Sequence, residues 1–140
     1  MRAVVLAEGR LLLVNAWPGA QSDMWAAPGG GVETGRSLPD NLVREVREET
    51  GLWVEVGAPC LVNEFHEPAS GFHQVEIFFR CRLVGGGPPP EGWRDPEGVV
   101  DRLRWAGREE IGTLRVKPDS LPRIAWQNGI AYDPLELLQR

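Results

Sequence analysis

A mixed α/β fold, with a mixed central β-sheet carrying an acidic helix on one face and a C-terminal helix on the other, is what this 140-residue chain predicts. Three observations carry that expectation. Short β-prone runs are separated by breaks containing glycine, proline or asparagine. One stretch, 37–51, places apolar residues at four-residue intervals between a capping serine and a glycine. The composition, 42% hydrophobic and 25% charged, is that of a chain able to bury a core.

Taken in order, Ala3-Val4-Val5-Leu6 and Leu11-Leu12-Leu13-Val14 flank Ala7-Glu8-Gly9-Arg10, where Glu-Gly suits a tight turn, so they form a hairpin. Residues 17–23, with Pro18, Gly19, Gln21 and Ser22, form a loop, and Met24-Trp25-Ala26 is a short extended segment. Pro28-Gly29-Gly30-Gly31 cannot sit inside a regular element. Its glycines allow a sharp turn, and they also leave carbonyl oxygens open to a ligand or metal. A helix starts at Ser37, with Asp40 completing an approximate capping box, and ends at Gly51. Leu38, Leu42 and Val46 form its apolar stripe. Residues 52–56 and 61–65 are two further strands. In 73–83, Val75, Ile77, Phe79, Cys81 and Leu83 alternate with Gln74, Glu76, Phe78, Arg80 and Arg82, a half-buried strand with Phe78 as the exception. His66, Glu67, Ser70 and His73, around the preceding turn, are either pocket-lining or plain surface groups. Residues 84–100, rich in glycine and proline, make a long loop, functional or disordered. A second helix spans 120–127, capped by Asp119, with Leu121, Ile124 and Ala125 on one face.

The chain's length suits one domain spanning 1–140. Its net charge of −5, from 15 basic and 20 acidic side chains, disfavours a nucleic-acid polymer as partner. Cys60 and Cys81 fit neither a disulfide scaffold nor a zinc pair and are expected as reduced core residues. No apolar run approaches the roughly 18 residues of a membrane span. With no signal-like segment before the first strand, a cytoplasmic setting without membrane attachment is expected.

The helix carries its chemistry toward its end. Glu45, Glu48 and Glu49 lie three and four residues apart and project to one side, as does Asn41. At roughly 100° per residue Glu49 falls between Leu38 and Leu42, inside the face that should pack. A carboxylate driven toward a core must be paired, protonated or metal-bound. Acids in the C-terminal half also oppose the helix dipole. Neutralisation by Arg36, Arg44 and Arg47 is the bland account; a bound cation is the sharper one.

These residues resemble the signature of the Nudix hydrolases, Gly-x5-Glu-x7-Arg-Glu-U-x-Glu-Glu-x-Gly-U with U aliphatic, set here from Gly30 through Arg44-Glu45-Val46 and Glu48-Glu49 to Gly51-Leu52. Arg36 stands where the signature has its first Glu. Leu103-Arg104-Trp105 with Glu109-Glu110-Ile111 is similar to the late strand and short helix of that family. The resemblance implies an α/β/α sandwich and metal-dependent cleavage of a phosphoanhydride in a nucleoside diphosphate linked to another moiety. It implies Mg²⁺ or Mn²⁺ held by Glu45, Glu48 and Glu49, with a carbonyl of Gly29 or Gly30 and one late-loop acid, Glu97 first and Asp95 second. Glu45 is the expected base, and Arg44 the anchor of helix to loop. Arg36 could weaken the site, or bridge to Glu45 or Glu48 and leave a nucleotide-binding module without turnover. The expected partner is a small nucleotide substrate, with a homodimer also possible; Trp25, Trp93, Trp105 and Trp126 either offer a stacking surface for its base or serve packing.

Overall fold

A computed structural model describes residues 1–19, 21–85 and 88–139. Ala20 of the expected first loop, Gly86 and Gly87 of the expected long loop, and Arg140 lie outside the described residues. Strands β1 (Arg2–Ala7) and β2 (Arg10–Asn15) form the expected hairpin, with Leu6 opposite Leu11. Its turn residues Glu8 and Gly9 have φ of 51° and 73°, the left-handed pair that matches strand twist in a two-residue connection.

Strand β3 (Trp25–Ala26) pairs with β2, and helix α1 (Leu38–Thr50) follows. The long strands β4 (Val54–Glu67) and β5 (Phe72–Leu83) are antiparallel to each other, while β5 runs parallel to β1. The sheet order is β3-β2-β1-β5-β4-β7, where β7 is Ala131–Tyr132. Strand β6 (Leu103–Gly107) also pairs with β2, and β8 (Glu136–Leu137) with β4. Because β1–β5, β4–β7 and β4–β8 are parallel among antiparallel neighbours, the sheet is mixed, as the sequence predicts.

Strand alternation sends neighbouring residues to opposite faces, and the two cores follow it. On one face Ala3, Val5, Leu12, Phe79 and Cys81 pack with Leu42 and Val46 of α1. On the other, Val4, Leu11, Leu13 and Phe78 pack with Leu121, Ile124 and Ala125, the buried residues of helix α2 (Leu121–Ala125). The helices therefore lie on opposite faces of the sheet. Cys60 and Cys81 are buried free thiols, with burial pushing Cys81 up to about 12. Among the described residues no helix is long and apolar enough to cross a membrane.

Three expectations need correction. The segments 52–56 and 61–65 belong to one strand, β4, which keeps pairing with β5 through register shifts between Val56, Pro59 and Leu61. The irregularity, with Gly57 and Pro59 inside it, makes one bent strand look like two. Strand β5 is not half-buried: Glu76 and Phe78 are covered, whereas Val75 is 60% exposed. Both faces of its middle are packed, so alternation of residue type does not map onto solvent. Finally, α2 starts without a side-chain cap; Asp119 instead accepts from Lys117 Nζ at 2.9 Å.

Candidate active site

Helix α1 is held as its sequence signals indicate. Ser37 Oγ accepts from the Asp40 amide at 3.1 Å, and Gly51, at φ 74°, donates its amide to the Arg47 carbonyl at 2.9 Å. Asn41 is fully buried and staples the preceding loop: its Oδ1 accepts from the Glu33 amide at 2.9 Å, and its Nδ2 donates to the carbonyls of Arg36 and Ser37 at 3.2 and 2.9 Å. Asn41 thus shares the acids' side of the helix but serves to fix the loop.

The glycine loop is bare for two local reasons. At Gly29, φ 154°, a Cβ would stand 2.1 Å from the Met1 carbonyl oxygen, because Ala3 donates to the Pro28 carbonyl and Gly30 to that of Met1. At Gly30 a Cβ would stand 2.6 Å from the carboxyl carbon of Glu45. The loop's closeness to β1 brings its backbone under the acidic end of α1, and the Gly29 amide donates to Glu49 Oε2 at 3.1 Å.

Glu45 is only 8% exposed. Burial raises its carboxyl above the usual range, Glu48 and Glu97 add to that, and Arg44 opposes it. Burial also pushes Glu49 up to about 8, against the pull of Arg2 and the Gly29 amide and with the repulsion of Glu45 and Asp95. Glu49 is half-buried, so the expectation that it turns toward the packed face is met in part; Glu45 is the more deeply covered acid. Glu48 is more accessible than Glu45, its Oε2 accepting from Arg44 Nη1 at 3.2 Å.

Arg44 gathers the local charge. Its Nη1 also stands 3.2 Å from Glu45 Oε1, its Nη2 donates to Asn41 Oδ1 at 3.1 Å, and its Nε faces Glu33 at 3.6 Å. Its contact with Glu33 reaches from the helix to the loop, and Asn41, on its own helix, staples that loop. Arg36 does not bridge to Glu45 or Glu48: its Nε lies 3.7 Å from Glu33, in an ion pair whose side chains are 56% and 55% exposed.

The other expected ligands are placed unequally. The Gly30 carbonyl accepts from the Met1 amino group at 2.9 Å, and the Gly29 carbonyl from Arg2 Nη1 at 3.4 Å, so each has one interaction and a second lone pair. Asp95 is consumed by its own loop, accepting from the amides of Glu97, Val99 and Val100 at 3.0, 3.1 and 2.9 Å. Glu97 is exposed and close enough to Glu45 to raise it electrostatically. Among the described residues, no group of three His, Cys, Asp or Glu stands ready to hold a metal ion. The donor set of carboxylate and carbonyl oxygens nevertheless suits a hard divalent cation, and its mutual repulsion favours one.

Beyond Gly29 lies a pocket of about 700 Å³. Arg2 joins it to the acids: its Nε donates to Glu76 at 3.0 Å, inside the pocket, and its Nη1 to the Gly29 carbonyl on the acidic side. Glu67 and Ser70 line this pocket, and the Ser70 hydroxyl donates to Glu67. His66 and His73 do not line it; His73 Nε2 faces Glu64 at 3.5 Å. The tryptophan in its wall is Trp17, whereas Trp25, Trp93 and Trp126 lie beside arginines and Trp105 packs on the core. Arg2, Glu33, Trp17 and Glu76 were not indicated by the sequence. The one available signal was Phe78, which showed that Glu76's side of the strand is not plain solvent.

The chain matches the family model described as NUDIX domain over residues 1–127. It is 32% identical over 106 residues to a MutT-like protein of Streptomyces ambofaciens, covering 71% of this chain and 64% of that one. It is 29% identical over 83 residues to an ADP-ribose pyrophosphatase of Methanocaldococcus jannaschii, covering 59% and 49%. The chain therefore spans less than two thirds of the length of these curated relatives. Among solved structures, a NUDIX hydrolase from Nitrosomonas europaea superposes with a TM-score of 0.73 at 22% identity, over 88% of this chain and 82% of that one. A UDP-X diphosphatase superposes with a TM-score of 0.70 at 23% identity, over 96% and 64%.

Proposed function

The chain belongs to the Nudix family, and on that premise we propose that it hydrolyses a phosphoanhydride bond in a nucleoside diphosphate linked to another moiety, using Mg²⁺ or Mn²⁺. The observation that supports this most is the crowding of Glu45 and Glu49, both raised by burial and by neighbouring carboxylates, against Gly29 and Gly30. Glu45, Glu48 and Glu49 would hold the metal, with the Gly29 or Gly30 carbonyl and Glu97 completing the set. A bound divalent ion neutralises phosphate charge and lowers the pKa of water.

The chain's own groups do the rest. The Gly29 amide fixes one oxygen of Glu49. Arg44 Nη1 holds Glu45 and Glu48 together, 3.2 Å from an oxygen of each. Glu45, whose carboxyl burial raises above its ordinary range, would take the proton of the attacking water. Arg2 offers positive charge between the acids and the pocket, where the phosphates of a bound nucleotide would cross.

The names of the relatives, an ADP-ribose pyrophosphatase and a MutT-like protein, support a small nucleotide substrate. A screen of nucleoside triphosphates, nucleotide sugars, ADP-ribose and dinucleoside polyphosphates with each metal, read by product analysis, tests the proposal. Cleavage at a phosphoanhydride is expected. The second reading, a module that binds without turnover, draws on Arg44 already neutralising Glu45 and Glu48. Calorimetric binding without phosphate-bond cleavage under saturating Mg²⁺ and Mn²⁺ would favour it.

A further inference from the structure

The guanidinium nitrogens of Arg44 are used unequally. Nη1 meets Glu45 Oε1 and Glu48 Oε2, each at 3.2 Å, and Nη2 donates to Asn41 Oδ1 at 3.1 Å. Nε is buried and has no hydrogen bond among the described residues. The charge that faces it is Glu33, whose Oε2 lies 3.6 Å away.

Glu33 owes its place to Asn41. The Glu33 amide donates to Asn41 Oδ1 at 2.9 Å, and its carbonyl accepts from Asn41 Nδ2 at 3.4 Å. Both polar atoms of the Glu33 backbone are thus clipped to a fully buried side chain of α1. The Glu33 side chain is half exposed, but a fixed root reduces the entropy cost that makes ordinary surface ion pairs weak. Burial opposes the charge of Arg44, while Glu45, Glu33 and Glu48, in that order, hold its guanidinium above the usual range. The field of Glu33 at Arg44 therefore ranks beside those of the two helix acids.

Of these acids, Glu33 alone stands outside the proposed ligand set. A divalent ion held by Glu45 and Glu48 would repel Arg44, since it competes for carboxylates that Arg44 touches. A carboxylate that touches Arg44 and does not hold the ion offsets that repulsion. The loop acid of the signature is missing, because its position holds Arg36, and the loop's acid stands three residues earlier. Arg36 Nε lies 3.7 Å from the same Glu33 Oε2.

Resting on the reading that this chain is a metal-dependent hydrolase, we propose that Glu33 is a positioning residue of the site: it seats Arg44 behind Glu45 and Glu48 and supplies the loop carboxylate that Arg36 displaces from the signature. Its action passes through Arg44. A glutamate carries its carboxylate oxygens as far along the side chain as arginine carries Nε. Arg36→Glu therefore puts an acid where Arg36 Nε now stands, beside Glu33, and can take over its part.

Glu33→Gln keeps the backbone clip and removes the charge. Binding of Mn²⁺ alone, followed by calorimetry without substrate, should weaken about tenfold, and kcat/KM on whichever phosphoanhydride compound is cleaved should fall by about the same factor. Circular dichroism should match the wild-type protein. Adding Arg36→Glu to Glu33→Gln should return both readouts to within about threefold of wild type, a rescue that a merely structural role for Glu33 would not give. Wild-type Mn²⁺ affinity in Glu33→Gln, or a loss that Arg36→Glu leaves unrepaired, overturns the proposal. Should no compound be cleaved with either metal, the hydrolase reading fails, and Mn²⁺ binding still decides the part of Glu33. A wild-type protein that binds no Mn²⁺ overturns both.

Discussion

The backbone amide of Gly29 donates to Oε2 of Glu49 across 3.1 Å, joining the glycine loop to the last turn of α1 through a carboxyl that burial pushes up to about 8. A group so placed is strained toward protonation without a cation and freed to ionise with one. Glu49→Gln keeps the shape and removes the charge. Hydrolysis should fall by more than the roughly 10–100-fold seen when a group that merely supports a metal ligand is lost. Circular dichroism and thermal denaturation should show a folded protein, and near-normal turnover would remove Glu49 from the site.

The same carboxyl fixes the sign of a pH dependence. Between the ordinary value near 4.5 and about 8, folded Glu49 keeps its proton while the unfolded chain has lost it. The native state then binds more protons, so metal-free stability falls as pH rises through that window and levels off above it. Glu45 is raised as well and adds a slope of the same sign. Denaturant titrations in a chelator at pH 5, 6.5 and 8 should show the decline, and Glu49→Gln should flatten it. Saturating Mg²⁺ should restore stability most at pH 8, because the ion competes with the proton.

Gly29 and Gly30 should fail differently when replaced by alanine. At Gly29 the new methyl meets the backbone oxygen of Met1, which cannot step aside, at a left-handed φ of 154°. Gly29→Ala should lose about 2 kcal/mol or more of stability. At Gly30 the methyl meets the movable end of Glu45. Gly30→Ala should fold with a smaller loss, under about 1 kcal/mol, and lose activity because Glu45 is displaced. Melting curves beside kcat/KM separate the two. Equal melting temperatures would contradict the backbone argument.

What the sequence revealed about this site and what it hid have physical causes. Helix α1 was legible because cap, stripe and terminator are local signals, and Ser37, Leu42, Val46 and Gly51 all act where their spacing put them. That Glu49 turns toward the packed face of α1 followed from angle alone. The fate of the late-loop acids did not: Asp95 and Glu97 look alike in sequence, but only the folded loop turns three amides onto Asp95 and leaves Glu97 exposed. The pocket was hidden for a related reason. Arg2 and Glu76 are 74 residues apart, and their meeting depends on the parallel β1–β5 pairing. Strand β4 read as two because its bend contains Gly57 and Pro59, and β5 read as one-sided because periodicity reports residue type and not the layers above it.

Arg36 illustrates how position tempers an unexpected charge. Its partner Glu33 is half exposed, and such surface pairs contribute about 0–1 kcal/mol. Arg36→Glu should therefore change kcat/KM by less than about threefold. Arg44→Ala is the contrasting variant. It strips Glu33, Glu45 and Glu48 of their shared cation and unties Asn41, and should lower both stability and turnover by about tenfold or more in kcat/KM. A large gain from Arg36→Glu would show that this residue suppresses the site after all, in spite of its distance from Glu45 and Glu48.

Trp93 connects the late loop to the catalytic helix. Its indole N–H donates to the Glu48 carbonyl at 2.9 Å, and Arg47 lies between its ring and that of Trp53, 4.5 and 4.7 Å from the centroids. A Cβ on Gly51 would come within 2.8 Å of Trp93 and Pro90, so the helix's terminating glycine also makes room for the loop. This contact sets where residues 95–100 run, and hence where Glu97 stands relative to Glu45. Trp93→Ala should cost about 1–2 kcal/mol, one hydrogen bond and one cation–π contact. If Glu97 contributes to holding the ion, the variant should also need about tenfold more Mg²⁺ or Mn²⁺ for half-maximal turnover, with a recoverable maximal rate. Metal titrations of Trp93→Ala and Glu97→Gln side by side decide this. A normal metal requirement in both would leave Trp93 a purely structural anchor and remove Glu97 from the ligand set.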